Sequence, residues 1–230
     1  MLPSLLLFAR VPDPGRVKTR LAGRLTERGA TDLYRAFLED AARVYLQPSR
    51  WDSVLCAEPD PSDPRLAALF SDGWRRQAQA PGDLGSRLAD AFEGELRRGA
   101  PAAVAVGSDQ PALPLRLLDA VFRALAERSS AALVPAEDGG YCAIGLAAAA
   151  PVAEVFRDIP WSTGAVFSET LRRLEAAGVP HRVLEAAYDV DLPEDVDRLQ
   201  RDLASRDPDA EDFPAATARA LAALAAGTRP

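Results

Sequence analysis

Short apolar runs alternate along this chain with longer stretches that are apolar only at helical spacing. An unbroken short run marks a buried strand, and a stripe at positions three and four apart marks a helix. Leu5–Phe8, Ser53–Ala57, Ala102–Val106, Ala131–Val134, Tyr141–Leu146 and Arg182–Ala187 read as strands, and Arg75 to Ala80 is a further candidate. Thr31 to Gln47 reads as a helix, with Leu33, Phe37, Leu38, Ala41 and Val44 on one face. Pro64 to Phe70, Ser86 to Arg97, Leu115 to Ala126, Val166 to Ala176 and Glu194 to Leu203 read as helices too. Strand–helix alternation of this kind predicts an α/β fold, a mostly parallel central sheet with helices on both faces. At 230 residues the chain suits one such domain. That domain is expected over 1–205. An Asp/Pro-rich linker at 206–213 and an Ala-rich helix over Pro214–Ala226 follow, the helix packing loosely or fraying.

Charge and the rare residues narrow the function classes. A net charge of −7 argues against a nucleic-acid partner, whose binding rests on neutralising many phosphates. It leaves room for a nucleotide, which needs only a local basic patch. The two cysteines, Cys56 and Cys142, lack CxxC spacing and read as buried residues in a reducing cytosol. No basic leader and no apolar stretch near 18 residues is present, so the expected location is cytoplasmic with no membrane partner. His181 is the only histidine and reads as a strand-edge residue, which removes His-based zinc sites and Ser-His-Asp triads.

Of 27 Lys plus Arg residues, Lys18 is the only lysine. A compact ammonium differs physically from a planar guanidinium, so its retention points to a task that Arg does poorly. Lys18 follows the first strand and a Pro/Gly loop that includes Gly15, and Thr19 and Arg20 open a helical pattern after it. Cations and N–H groups at the end of a first strand suit an anionic ligand. As an exposed loop residue, Lys18 should affect stability by no more than about 0.5 kcal/mol. The surroundings fit neither a Walker A loop nor a GxGxxG fingerprint.

Five more motifs stand at strand ends or turns. Gly107-Ser108-Asp109 follows a buried strand, where open α/β sheets bind ligands, and Asp109 is a candidate ligand for a divalent cation. Asp189 and Asp191 lie on one side of an extended segment and repel unless a cation lies between them. Asp191 also suits the cap of the helix near Pro193. Asp138-Gly139-Gly140-Tyr141 reads as a sharp turn holding an aromatic. Trp161-Ser162-Thr163 offers an aromatic wall and hydroxyls, with Thr163 equally readable as an ordinary N-cap. Gly82, Leu84, Gly85 and Arg87 mark a helix start suited to contacting a base or a phosphate.

Taken in this order, the motifs Phe8-Ala9-Arg10 with Pro14 to Leu21, Gly82 to Leu88, Gly107 to Pro111, Asp138 to Tyr141 and Asp189 to Asp195 resemble the DUF2064 family, a group linked to arsenosugar biosynthesis. The resemblance covers about residues 4 to 203. It implies a GT-A-like Rossmannoid three-layer sandwich of the nucleotide-diphospho-sugar transferase superfamily. The chain is also similar to small guanylyltransferases. The implied activity is transfer from a nucleotide donor to a small-molecule acceptor, glycosyl or nucleotidyl, with a non-catalytic nucleotide-binding protein as the remaining alternative. Mg²⁺ or Mn²⁺ on Asp109, Asp189 and Asp191 is implied, with Lys18 and Arg20 as a phosphate clamp. The implied nucleotide contacts are Ala9, Arg10, Gly15, Gly82, Leu84, Gly85, Arg87, Gly107 and Ser108, besides that clamp. The implied acceptor side comprises Asp138, Gly139, Gly140, Tyr141, Trp161, Ser162 and Thr163. The family commonly has Cys and Thr where this chain has Gln110 and Leu192.

Overall fold

Leu5, Leu6 and Leu7 are all fully buried, because strand β1 (Ser4–Arg10) runs through the interior of the sheet with helices above and below it. Leu5 and Leu7 enter one layer of the core and Leu6 the other, as the two-residue period of a strand requires. The computed structural model describes residues 1–227.

The sheet adds β2 (Asp52–Glu58), β3 (Trp74–Ala78), β4 (Ala102–Gly107), β5 (Ala131–Pro135), β6 (Tyr141–Ala147) and β7 (His181–Val183). Their order is β3-β2-β1-β4-β6-β5-β7. The pairs β1–β2, β2–β3, β1–β4 and β5–β7 are parallel, and β6 runs antiparallel to both β4 and β5. The sheet is therefore mostly parallel, as the sequence implies, with one reversed strand inside it.

One helical layer contains α1 (Glu27–Val44), α4 (Leu115–Glu127), α7 (Pro193–Ser205) and α8 (Ala215–Gly227), together with the short α2 (Pro64–Ala67). The opposite layer contains α3 (Leu84–Arg97), α5 (Val152–Phe156) and α6 (Val166–Ala176). Phe37 on α1 and Phe92 on α3 anchor the two layers, each contributing about 1.5–3 kcal/mol on burial. Caps fix where helices begin. The Thr26 hydroxyl accepts the Gly29 N–H at 3.0 Å, so α1 starts before the expected Thr31. The Asp83 carboxylate accepts the Ser86 N–H at 2.8 Å and starts α3 beside the site.

Two expectations need correction. The turn after Lys18 is a single 3₁₀ turn, Thr19–Leu21, and the true helix begins at Glu27, so no long helix presents its N-terminus to the Lys18 loop. Residues 206–213 form an irregular connection between α7 and α8 that is tied down along its length. Arg206 donates to the Ala112 carbonyl at 3.0 Å, and the Asp212 carboxylate accepts the Leu115 N–H at 3.0 Å. Likewise α8 does not hang free: buried Asp40 of α1 accepts the N–H groups of Ala216 and Thr217. The last three residues of the expected C-terminal segment lie outside the described residues.

Candidate active site

A cavity of about 690 Å³ opens at the carboxyl ends of β1, β2 and β4, where open α/β sheets bind ligands. Three loops meet on one side of it. The Val190 N–H donates to the Asp109 carbonyl at 2.9 Å, which ties the segment before α7 to the end of β4. The Lys18 ammonium then donates to the Val190 carbonyl at 2.7 Å and lies 2.8 Å from Asp109 Oδ1 and 3.6 Å from Asp191 Oδ1. Arg20 pairs with the other oxygen of Asp191 at 2.6 Å. Three motifs far apart in sequence thus close on one ammonium.

Lys18 is not the exposed loop residue expected from sequence. Its side chain is 3% exposed, and its backbone is left-handed with φ of 51°. Charge balance explains its burial: the side chain sits against the carboxylates of Asp109 and Asp191 and the Val190 carbonyl, which together compensate the buried ammonium. The sequence places a cation between Asp189 and Asp191; the structure puts an ammonium between Asp109 and Asp191, and Asp189 does not line the cavity. Nor does Asp191 cap α7. The Asp195 carboxylate accepts the N–H groups of Asp191 and Leu192 and does the capping, leaving the Asp191 carboxylate facing the cavity.

The far side of the cavity, at the ends of β2 and β3, is a second polar cluster. Arg87 forms an ion pair with Glu58 and donates to Gln79 Oε1 at 3.3 Å. Gln79 in turn donates to the carbonyls of Ala9 and Cys56, at 3.2 and 2.9 Å, finishing the ends of β1 and β2. Between the two clusters, buried Tyr34 from α1 accepts the Arg10 N–H at 3.0 Å, and its oxygen lies 2.9 Å from Ser108 Oγ. Burial raises the Tyr34 pKa, with the Asp109 charge adding to the shift, so the phenol stays neutral. Exposed Arg16 lines the same space and forms no ion pair among the described residues. The opposite wall is apolar: Trp161 stands edge-on to Tyr141 with ring centroids 6.4 Å apart, near Leu84.

Most expected site residues meet here. Ala9, Arg10, Lys18, Arg20, Gly107, Ser108 and Asp109 line the cavity, as do Gly82, Leu84 and Arg87. Tyr141, Trp161, Ser162 and Asp191 complete its wall. Other expected residues lie behind it. Gly85 sits under Trp161, where a Cβ would meet the indole nitrogen at 2.7 Å. Gly15 turns above Glu27 with φ of +72°. Gly139 touches Gly164, and Asp138 Oδ1 accepts the Gly140 N–H at 2.9 Å, so this turn braces the Trp161 loop from outside. Thr163 is no N-cap: it donates to the Pro160 carbonyl at 2.7 Å, and Ala165 occupies the cap position of α6. Asp189 is set back from the cavity; burial pushes its carboxyl up to about 6, and the charges of Asp138 and Asp191 add to that shift.

Sequence reasoning missed Tyr34, Glu58 and Gln79. Glu58 carried a usable signal, an acidic residue at the end of a strand. Tyr34 and Gln79 carried none, since their partners, Arg10 and Ser108 for the one and Ala9, Cys56 and Arg87 for the other, are brought to them only by the fold.

The oxygen set suits a hard divalent cation. Mg²⁺ commonly takes one or two protein carboxylates and completes its shell with waters and substrate phosphates. Among the described residues, no three His, Cys, Asp or Glu side chains form a closed metal cage. Asp109 and Asp191 fit the open kind of site.

The strand order and the strand-end cavity with its mixed walls define the class: an α/β protein with the fold of nucleotide-diphospho-sugar transferases. The model of the family described as an uncharacterized protein conserved in bacteria, DUF2064, matches residues 41–163, and the chain belongs to that family. A protein from Desulfovibrio desulfuricans G20, provisionally named a nucleotide-diphospho-sugar transferase, is 28% identical, with a TM-score of 0.87 over 99% of this chain and 98% of that one. Two further proteins share the fold at lower identity. A cytidylyltransferase from Leptospira borgpetersenii serovar Hardjo-bovis is 12% identical, with a TM-score of 0.59 over 99% and 95% of the two chains. A 4-diphosphocytidyl-2C-methyl-D-erythritol synthase is 14% identical, with a TM-score of 0.57 over 88% and 99%. No curated protein matches the chain.

Proposed function

We propose that this protein is a metal-dependent glycosyltransferase, moving a sugar from a nucleotide-diphospho-sugar to a small-molecule acceptor. The observation that carries this reading is the joining of Asp109 and Asp191 to a cationic loop at the ends of β1 and β4, opposite an aromatic wall. Asp109 and Asp191 would hold Mg²⁺ or Mn²⁺, which when bound neutralises charge on a diphosphate leaving group. Arg20 and Arg16 supply positive charge to the same oxygens. The polar cluster of Glu58, Gln79 and Arg87 takes the nucleoside end. Trp161 and Tyr141 orient the acceptor and exclude water from the reacting carbon. The acceptor oxygen forms the new bond to the anomeric carbon. The bond from that carbon to the diphosphate breaks, with its electron pair leaving on the nucleotide, and the acceptor proton passes to solvent.

One observation favours nucleotidyl transfer as the second reading. Arg16 faces the cavity without an ion-pair partner among the described residues, and a triphosphate would use that extra charge. Thermal shift with UDP, GDP, CDP and dTDP, their sugars and the NTPs, each with and without Mn²⁺, tests the donor class. A binding donor at a hundredfold excess over Kd stabilises by about 2.7 kcal/mol. Release of nucleoside diphosphate supports glycosyl transfer and release of pyrophosphate supports the alternative. Absence of stabilisation by any nucleotide overturns both. In Asp109→Asn and Asp191→Asn, metal-dependent binding should be lost while the protein stays folded.

A further inference from the structure

The ammonium of Lys18 stands where the proposed function calls for a divalent cation. An ammonium has three donors and no acceptor. Here all its partners are oxygens: the Val190 carbonyl at 2.7 Å, Asp109 Oδ1 at 2.8 Å and Asp191 Oδ1 at 3.6 Å. Arg20 does not compete for this place. It reaches the outer oxygen of Asp191 from solvent, with its side chain 64% exposed against 3% for Lys18. The position is also imposed on the chain. Lys18 is one of three non-glycine residues with positive φ among the described residues, a conformation that side chains adopt only when their surroundings fix them. Chemistry explains why a lysine is kept here in a chain otherwise served by arginine. A guanidinium is a flat fork that prefers paired, coplanar contacts, whereas an ammonium is a compact point charge that oxygens can surround.

We propose that Lys18 is a resident counter-cation. In the free protein it holds Asp109 and Asp191 facing each other by filling the place of the divalent ion, and it yields that place when donor phosphates arrive to receive it. Lys18 is thus a positioning residue, and the metal site forms only together with the donor. The charges require this order. A divalent ion entering beside a buried ammonium meets a like charge at short range, and two carboxylates cannot balance both. A diphosphate brings the missing negative charge, so metal and lysine can then be satisfied together, the lysine on phosphate oxygens. This inference rests on reading the cavity as a metal–nucleotide site.

The composition provides the test. Lys18 is the only lysine, so protein carrying ¹⁵N- and ¹³C-labelled lysine gives one lysine Nζ NMR signal. That signal should stay in place as Mg²⁺ alone is raised to millimolar levels. It should move when Mg²⁺ is added with whichever of GDP, UDP, CDP or dTDP stabilises the protein. In parallel, free Mn²⁺ is counted by electron spin resonance with nucleotide-free protein. Lys18→Met should bind Mn²⁺ at least about tenfold more tightly than wild type, because a competing charge has gone. Lys18→Arg should fall between the two. A lysine signal that shifts with Mg²⁺ alone, or equal Mn²⁺ affinity in wild type and folded Lys18→Met, overturns the proposal. Should Lys18→Met not fold, the wild-type spectra decide. A nucleotide that binds with Mg²⁺ while the lysine signal stays fixed overturns the counter-cation and leaves the transferase reading standing. If no nucleotide binds at all, the reading on which the proposal rests falls with it.

Discussion

Asp40, buried in the middle of α1, accepts the backbone N–H of Thr217 at 2.7 Å and that of Ala216 at 2.9 Å. One carboxylate therefore satisfies two of the orphan donors at the start of α8. Asp40→Ala should leave both N–H groups unpaired in a buried place, at a cost of about 1–3 kcal/mol. For a chain of this size the melting temperature should fall by roughly 5 °C. Asp40→Asn, which keeps one acceptor, should lose less. Differential scanning calorimetry of the two variants decides; equal melting temperatures for wild type and Asp40→Ala would mean that α8 is held by its apolar contacts alone.

Gly139 and Gly140 adjoin in sequence yet should respond differently to alanine. Gly139 has φ of +91°, and a Cβ there would meet the Gly164 carbonyl oxygen at 2.2 Å, a backbone atom rather than the end of a side chain. Gly140 lacks positive φ, and its Cβ would meet only the movable Asp138 carboxylate at 3.2 Å. Gly139→Ala should cost roughly 3 kcal/mol or more through strain and collision. It should also shift Trp161 fluorescence as the 159–164 loop moves. Gly140→Ala should stay within about 1 kcal/mol. Thermal melts and emission spectra of both variants check the contrast.

Acid stability should depend on Glu95. Burial pushes its carboxyl up, but hydrogen bonds from Arg75 and Ser4 and the Arg75 charge outweigh burial and hold it below the usual range. A carboxyl with a lowered folded pKa contributes stability that is present above its unfolded pKa, near 4.3, and lost as pH falls through the folded value. Wild type should therefore lose stability below about pH 4.3 more steeply than Glu95→Gln, which carries no titrating group at that position. At neutral pH Glu95→Ala should cost about 1–3 kcal/mol, because it leaves the buried Ser4 hydroxyl without its partner. Urea melts from pH 3 to pH 7 are the measurement, and parallel curves for wild type and Glu95→Gln would remove Glu95 from the acid transition.

Arg87 joins the end of β2 to the start of α3 through Glu58, Gln79 and the Gly82 carbonyl. If that cluster takes the nucleoside, Arg87→Ala should weaken nucleotide binding at least tenfold, or about 1.4 kcal/mol. The same change should alter unfolding free energy by less than that. Calorimetric titration set beside chemical denaturation separates the two effects; a variant that loses stability and keeps its affinity would make Arg87 a brace only.

The sheet was legible because buried strands are apolar end to end and helices carry stripes, so Leu5–Phe8 and Ala102–Val106 could be placed from composition alone. Where the elements are short the pattern fails or loses its bounds: α5, with five residues, shows no period, and β7 spans only His181–Val183 where the sequence reads a strand to Ala187. The reversal of β6 was not legible either, since an apolar run has no direction. At the site, Lys18, Asp109 and Asp191 could be singled out as chemistry at strand ends. Their mutual contact could not, because it depends on Val190 bridging a backbone N–H and a carbonyl across two loops. Exposure was misjudged for the same reason: a Pro/Gly loop reads as solvated, and only the opposing carboxylates show why Lys18 is buried.

The reversed strand β6 has a structural consequence. Because Val106 of β4 pairs with Ala143 of β6 in opposite directions, the beginning of β6 lies at the rim where β4 ends. In an all-parallel sheet every rim residue follows a strand, and each return to the rim needs a helix and another pass through the sheet. Here the short turn between β5 and β6 reaches the rim directly, carrying Asp138 to Tyr141 and the brace for Trp161. The aromatic wall thus leans on a hairpin separate in sequence from the Lys18 loop, and β6 joins that hairpin directly to β4, whose end carries Asp109.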